Sequence, residues 1–363
     1  MVLNQHIQHA QKTAAGPVIP AESVSSFAAT QALWRFLANE QVAPAALAEP
    51  LRQPAHRYIE ETHAKYVLPV IDWSKIDYKN HTAKTDVAQL THKHDIGYEL
   101  TTQLLVDAIT GGTITPVQMY LKNKDGYLTT AESLVPEKRR LEHVESLAGE
   151  LKAMRFNARL VTIIDREADS VRHLRILDQK GHLFLVRSDD RLTLWEGKSS
   201  KYSDIVAHLE REKLFKSAGK MIIRNRKCAQ YVAETTVEIP ITYPSRRKMT
   251  DLPPKMSIEP LKLRLVLTKI CNAGTGEVIA SCYLLSNVSS SVPAHRLALW
   301  YYFRWKIESY FKPMKSPGEE LEHWQQESAK AIFKRLLVAS MAVATFGKSK
   351  RQKLKKLQKL KQY

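Results

Sequence analysis

Residues 160–169 have the sequence LVTIIDREAD. Its apolar and β-branched first half predicts a short buried strand that stops at Asp165. A helix is expected from about residue 170 to residue 179, and a further buried strand at 183–186 precedes Arg187. Buried strands that alternate with helices are typical of an α/β sheet with helices on its faces.

The segments upstream extend this pattern. Residues 66–71 predict a strand that ends at Asp72, and strands at 96–108 and 115–121 are joined by a hairpin turn that contains glycine. A helix at residues 136–154 follows them. The order is therefore three antiparallel strands, a helix, a strand, a helix and a strand. This order predicts an RNase H-like α/β (α+β) fold, with a mixed sheet and helices on both faces.

The chain divides into three parts by composition. Residues 1–60 combine apolar residues at helical spacing with prolines, which predicts a short helical N-terminal module. Residues 61–330 hold the α/β domain, and a β-rich insertion interrupts it at about 192–286. Residues 331–363 form a C-terminal helix and a lysine-rich tail. The tail is either an amphipathic helix or a solvated basic segment, and its many lysines favour the second.

The charge balance indicates a polyanionic partner. Lys and Arg number 55 against 37 acidic residues, which gives a net charge of +18. Such a surplus attracts nucleic acid through counterion release, although a basic surface can also serve solubility alone. Three cysteines without metal-ligand spacing argue against a zinc finger and a disulfide framework. We expect a cytoplasmic protein, because the chain has neither a signal peptide nor an apolar run of membrane-spanning length.

Asp72 and Asp165 are candidate metal ligands, because each is expected where a buried strand ends and ligands of α/β sheets bind. Transfer of a phosphodiester needs two divalent cations close together, and Mg²⁺ prefers carboxylate oxygens. Aspartates are also common as turn formers and helix N-caps. Position alone therefore leaves both interpretations open for each acid.

A third acid lies on a helix predicted over residues 300–315. At about 100° per residue, one narrow polar arc carries four side chains, Tyr301, Arg304, Glu308 and Lys315. This face suits a metal ion held by Glu308 and phosphate oxygens bound by Arg304 and Lys315. The alternative is a solvated helix face on which Glu308 pairs with Arg304.

These residues resemble the motifs of a known family. The four residues of the arc have the spacing of the YREK motif of bacterial DDE transposases of insertion-sequence family four, the class of the transposon-five enzyme. Residues 165–169 resemble that family's DREAD motif, whose first Asp is the second catalytic acid. Asp72 falls where the first acid is expected, and residues 31–39 are similar to the family's helical end-binding module. The resemblance covers roughly residues 28–345.

The resemblance implies a cut-and-paste transposase. Asp72, Asp165 and Glu308 would be the catalytic and metal-binding acids for two Mg²⁺ ions, which Mn²⁺ can replace. Water would cut at the element's end, and the freed 3′-OH would pass through a hairpin intermediate before it joins target DNA. The insertion at about 192–286 would hold the flipped base and the hairpin.

The resemblance also implies the partners. Tyr301, Arg304, Lys315 and Arg187 would contact DNA, which would be the terminal inverted repeats and then the target. A homodimer on DNA and a place on the bacterial nucleoid follow from the same family. The alternatives are another RNase H-like endonuclease, or a shortened remnant that binds transposon ends without cutting them. Pro313 lies inside the predicted helix and is expected to kink it before Lys315.

Overall fold

The computed structural model describes residues 26–132, 134–136, 140–223, 226–240, 259–315 and 321–360. The first 25 residues of the predicted N-terminal module and the last three of the tail lie outside the described residues. The fold is mixed α/β, as the sequence predicts, with a mixed β-sheet and helices packed on it. None of the described helices is long and apolar enough to cross a membrane.

The helices, in chain order, are α1 Ser26–Ala38, α2 Pro44–Thr62, α3 Arg140–Ala153, α4 Val171–Gln179, α5 Tyr202–Arg211, α6 Ala294–Tyr302, α7 Lys306–Lys315 and α8 Ala329–Leu360. The strands are β1 Tyr66–Asp77, β2 Ala88–Gln89, β3 Ile96–Asp107, β4 Thr113–Asn123, β5 Gly126–Thr129, β6 Arg159–Ile164, β7 Leu183–Ser188, β8 Leu192–Trp195, β9 Lys198–Lys201, β10 Lys216–Ile223, β11 Arg226–Ile239, β12 Leu261–Asn272 and β13 Val278–Ser286.

The chain forms two compact units. Unit one comprises Met1–Arg140, Met154–Arg159 and Trp305–Tyr363, and unit two comprises Leu141–Ala153 and Leu160–Arg304. These units are groups of mutual contacts, and the domain boundaries expected from composition stay a prediction.

Unit one is built on an antiparallel sheet with the order β5-β4-β3-β1, and β2 pairs with β3. β1 is longer than predicted, so Asp72 lies in the middle of the strand and the expected strand end at Asp72 is wrong. The strand continues because residues 67–77 all pair with β3, a non-local contact that outweighs the polar residues after Ile71. Gly97 permits this close pairing, since a Cβ there would lie 2.0 Å from the carbonyl oxygen of Ile76.

Pro44 and Pro54 were expected to punctuate the N-terminal helices; Pro44 begins α2, whereas Pro54 lies inside it, as does Pro50. Pro50 and Pro54 face away from the buried side of that helix, which carries Leu47, Leu51 and Ile59. A proline in a helix costs about 3 kcal/mol, so burial of this apolar face has to supply the compensation. The helix packs against β4, where the Thr115 hydroxyl donates to the Leu51 carbonyl oxygen at 2.9 Å.

A second difference concerns the helix predicted over residues 300–315. The structure ends α6 at Tyr302, inserts a 3₁₀ turn at Phe303–Trp305 and begins α7 at Lys306. The shared arc is therefore wrong, because a 3₁₀ turn has a different number of residues per turn from an α-helix. The break coincides with the passage of the chain from unit two to unit one. α7 runs through Pro313 to Lys315, and the kink expected at Pro313 stays a prediction.

Unit two contains a mixed sheet with the order β6-β7-β13-β12-β11-β8-β9, and β10 pairs with β11. β6 and β7 are parallel and are connected through α4, as predicted, while the later strands pair antiparallel. The helix α5, between β9 and β10, is an element that the sequence analysis missed.

At the chain's end, α8 is helical as far as Leu360, so the preference for a non-helical tail is wrong for the described backbone.

Helix α1 is anchored by a buried lysine on α8. Lys334 is 0% exposed, and its ammonium donates to the carbonyl oxygens of Leu37 at 3.0 Å and Asn39 at 2.6 Å. The carbonyls at a helix C-terminus have no partner within the helix, so this side chain satisfies groups that burial would otherwise leave unpaired. Leu33 and Leu37 pack with Ala331 in the same contact.

We expect Lys334→Met to loosen α1, because it leaves these carbonyl oxygens without their donor. The expected loss of stability is about 1–3 kcal/mol, with faster hydrogen exchange in α1 than elsewhere in unit one. Lys330→Met is the control, since the Lys330–Glu40 pair is partly exposed and should contribute less than about 1 kcal/mol. Equal effects of the two substitutions would contradict an anchoring role for Lys334.

Candidate active site

Asp165 follows β6 directly, as the sequence predicts. The strand residues Val161, Ile163 and Ile164 are fully buried and fix the point at which the chain leaves the sheet. Asp165 then has an extended backbone and forms the N-cap of the 3₁₀ turn Arg166–Ala168, where its Oδ1 accepts from the Arg166 N–H at 2.8 Å. The N-cap interpretation and the acid interpretation are therefore compatible at this residue.

Three side chains from distant parts of unit two surround the Asp165 carboxylate. The Tyr301 hydroxyl donates to Oδ1 at 3.0 Å, and Arg304 Nη2 lies 3.3 Å from Oδ2. Arg187 Nη1 is farther away, 3.8 Å from Oδ1. The Arg304 side chain is only 10% exposed and that of Asp165 is 31% exposed, so solvent screens the pair incompletely. Unit two thus brings together four of the residues singled out in the sequence.

This arrangement keeps Asp165 ionised. Burial alone would raise the pKa of Asp165, but the Arg304 guanidinium, the Arg166 N–H, the Tyr301 hydroxyl and Arg187 together lower it below 3.8. Burial raises the pKa of Tyr301, and the Asp165 charge raises it further, so its hydroxyl keeps its proton and donates. The carboxylate has a proton donor or a cation at each oxygen.

Asp72 lies on the face of the unit one sheet that α7 and α8 cover. Asp72 is opposite Thr102 on β3, which is opposite Met119 on β4, and directly opposite residues point to the same face. The Ser340 hydroxyl of α8 lies 3.8 Å from the Met119 sulfur. The same hydroxyl accepts from Tyr310 of α7 at 2.7 Å. Both helices therefore pack over the row of residues to which Asp72 belongs.

Glu308 and Lys315 belong to α7. Lys315 Nζ lies 3.4 Å from the carbonyl oxygen of Lys75 on β1. Glu308 is exposed, and its expected approach to Asp72 stays a prediction. Lys315 is exposed, and its expected contact with phosphate stays a prediction.

The three predicted acids are divided between the units. Asp165 belongs to unit two, whereas Asp72 and Glu308 belong to unit one. Within the described ranges, no three or more His, Cys, Asp or Glu side chains lie close enough together to hold a metal ion. The donor chemistry of three carboxylates fits Mg²⁺, but Asp165 is engaged by Arg304 and Tyr301 in this arrangement. The two-metal centre therefore stays a prediction.

One neighbour of Asp165 was missed in the sequence. The Cys282 thiol on β13 is partly buried and lies within electrostatic range of Arg187 and Asp165, and its desolvation raises its pKa. Its sulfur lies 3.3 Å from the Thr268 hydroxyl. The local sequence carried no signal for this position, because β13 reaches β7 through antiparallel pairing of distant segments.

Comparison of the sequence with protein-family models and with curated proteins finds no match. Among solved structures, the chain is similar to a piggyBac transposase in a synaptic complex with hairpin DNA, determined by cryo-EM. The two share 10% identity and a TM-score of 0.35, over 96% of this chain and 70% of that chain. A TM-score this low supports no inference about the activity of this chain.

We expect Arg304→Gln to raise the pKa of Asp165 more than Tyr301→Phe does, because it removes a full charge and not one hydrogen bond. A lowered carboxylate pKa stabilises the fold fully above the ordinary value of 3.8, and that stability is lost as the pH falls through the lowered pKa. Arg304→Gln should therefore cost about 1.5–3 kcal/mol at neutral pH and less in acid. Carbon NMR of labelled aspartate and urea unfolding at several pH values measure both effects.

Proposed function

We propose that this protein is a DDE transposase that cuts transposon ends and joins them to target DNA. The observation that carries the proposal is the hydrogen bond from the Tyr301 hydroxyl to the Asp165 carboxylate, two residues that are 136 positions apart in sequence. Residues that resemble the YREK motif and the DREAD motif thus meet in space within unit two, where Arg304 also contacts Asp165. Their sequence spacing alone does not require this meeting.

Arg304 has two competing anions in this proposal. Without DNA it neutralises Asp165, and a DNA phosphate near the cut offers a bidentate acceptor that favours its guanidinium. Tyr301 keeps a hydrogen bond to Asp165 and orients the carboxylate while Arg304 turns to the phosphate. Arg187, already near Asp165, supplies a second positive charge at the same strand edge. These residues bind and orient the scissile strand.

The acids Asp72, Asp165 and Glu308 would hold the two divalent cations. Mg²⁺, or Mn²⁺ in its place, supplies an activated oxygen nucleophile and neutralises the leaving oxygen when it is bound. The proposed DNA partners are the terminal inverted repeats and the target, bound by a homodimer on the bacterial nucleoid. The net charge of +18 supports a DNA partner, because it favours capture of a polyanion.

A cleavage and joining assay with Mg²⁺ and DNA that carries the flanking terminal repeats tests the proposal. Hairpin and strand-transfer products are expected. Cleavage without joining would instead favour another RNase H-like endonuclease, and binding without cleavage would favour a DNA-binding remnant.

Glu308→Ala and Asp165→Asn are expected to abolish cleavage, with a loss of at least about a thousandfold, and to leave the fold intact. Glu196→Gln is the matched control, because Glu196 is an exposed acid at the turn between β8 and β9. DNA affinity measured by fluorescence anisotropy in EDTA shows whether the variants still bind. Cleavage retained by Glu308→Ala would remove Glu308 from the site.

The exchange of Arg304 between two anions predicts opposite effects on DNA affinity. Asp165→Asn should tighten DNA binding, since it frees Arg304 and removes a negative charge. Arg304→Ala should weaken DNA binding. It should also reduce the steepness of log affinity against log salt concentration by about 0.9, the value for one phosphate contact. Arg296→Ala, on helix α6 just before the 3₁₀ turn that carries Arg304, is the control. Unchanged affinity for both site variants would contradict the exchange.

A further inference from the structure

A buried carboxylate next to the site plays no part in the proposed chemistry. Asp169 is the last residue of the DREAD segment, four residues after Asp165, and its side chain is 5% exposed. A buried, ionised carboxylate is costly unless cations and hydrogen-bond donors surround it. Its partners therefore indicate what the burial achieves.

The hydrogen-bond and ion-pair partners of the Asp169 side chain come from the end of β7 and the turn that follows it. Asp169 Oδ2 accepts from the Ser188 hydroxyl and from the Asp189 N–H, each at 2.9 Å. Asp169 Oδ1 forms an ion pair with Arg191, and the Arg191 guanidinium also donates to the Asp169 carbonyl oxygen at 3.1 Å. The carboxylate thus ties the turn after β6 to the turn after β7.

The two tied turns carry the charges of the candidate site. Asp165 opens the first turn, and Arg187 immediately precedes Ser188 at the end of β7. β6 and β7 are parallel neighbours, and their register ends at the pair Ile164 and Val186. The β6–β7 ladder therefore stops before the two turns, while pairing with β13 holds Arg187 and Ser188 in the sheet. The buried Asp169 contacts, together with an exposed ion pair between Arg166 and Asp189, connect the turn after β6 to the turn after β7.

We propose that Asp169, through Ser188 and Arg191, is a positioning residue that holds Asp165 and Arg187 at their working separation. This inference rests on the proposed function only for its effect on catalysis. In this proposal, Asp169 contacts neither DNA nor a metal ion. Its contribution is geometric, because a displacement of about 1 Å at a reacting group can cost about a hundredfold in rate.

The sign of one pKa change separates positioning from direct electrostatics. Asp169→Asn removes a negative charge near Asp165, which by Coulomb's law alone would lower the pKa of Asp165 further. Loss of the clamp would instead release Asp165 from Arg304, Tyr301 and Arg187 and raise its pKa. The two explanations therefore predict shifts in opposite directions.

The test is a carbon NMR titration of aspartate-labelled full-length protein, with the Asp165 signal assigned from Asp165→Asn. A rise in the Asp165 pKa is expected for Asp169→Asn, and a smaller rise for the uncharged change Ser188→Ala. Arg191→Lys, which keeps the charge, should stay nearer to wild type than Arg191→Gln. The kcat of cleavage should fall at least about tenfold in Asp169→Asn, with the KM for DNA unchanged.

Asp107→Asn is the matched control. Asp107 is also buried and accepts from the Ile109 and Thr110 N–H groups of a turn, but it belongs to unit one. The Asp107→Asn substitution should lower the stability of the protein without changing the pKa of Asp165. An unchanged or lowered Asp165 pKa in both Asp169→Asn and Ser188→Ala would overturn the positioning role. If the pKa rises but wild-type protein cuts no DNA, the positioning stands and the proposed function falls.

Discussion

The ionised carboxylate of Asp165 imposes a constraint on the whole of unit two. It lies half-buried at the end of a strand whose last four residues are buried, and there it needs compensating charge. The compensation comes from Arg304 and Tyr301 at the far end of the unit's sequence and from Arg187 on the parallel neighbour β7. The long β-rich segment between residues 192 and 286 therefore has to return the chain to the edge at which β6 ends.

The sheet of unit two meets this constraint through its order of strands. β13 pairs antiparallel with β7, and this pairing places the end of the insertion beside the strand that carries Arg187. Helix α6 then begins after Pro293 and packs against β11 and β12. From there Tyr301, in its last turn, reaches Asp165. The contact between the two motifs is thus a consequence of the strand order, and not of any local preference at residues 300–304.

Local signals in the sequence predicted much of this arrangement, and non-local pairing accounts for the rest. The strand before Asp165 and the crossover through α4 were predicted, because the pattern of apolar residues in each segment identifies its secondary structure and shows where the element ends. Asp72 was misplaced at a strand end because only pairing with β3 extends β1 to Asp77. The single helix over residues 300–315 was wrong because its break lies at a boundary between units. The hydrogen-bond and ion-pair partners of Asp169 could not be predicted, because no local sequence pattern indicates that an acid will be buried.

The energetics of the Arg304–Asp165 pair link the two ligands of the proposed reaction. Removal of one partner from this partly buried ion pair leaves the other charge uncompensated, at an expected cost of about 1.5–3 kcal/mol. In the proposed reaction, Arg304 would therefore leave Asp165 only when a phosphate receives the guanidinium and a cation compensates the carboxylate. Such a coupling would be reciprocal, so DNA would strengthen the binding of a cation by the same factor by which the cation would strengthen the binding of DNA.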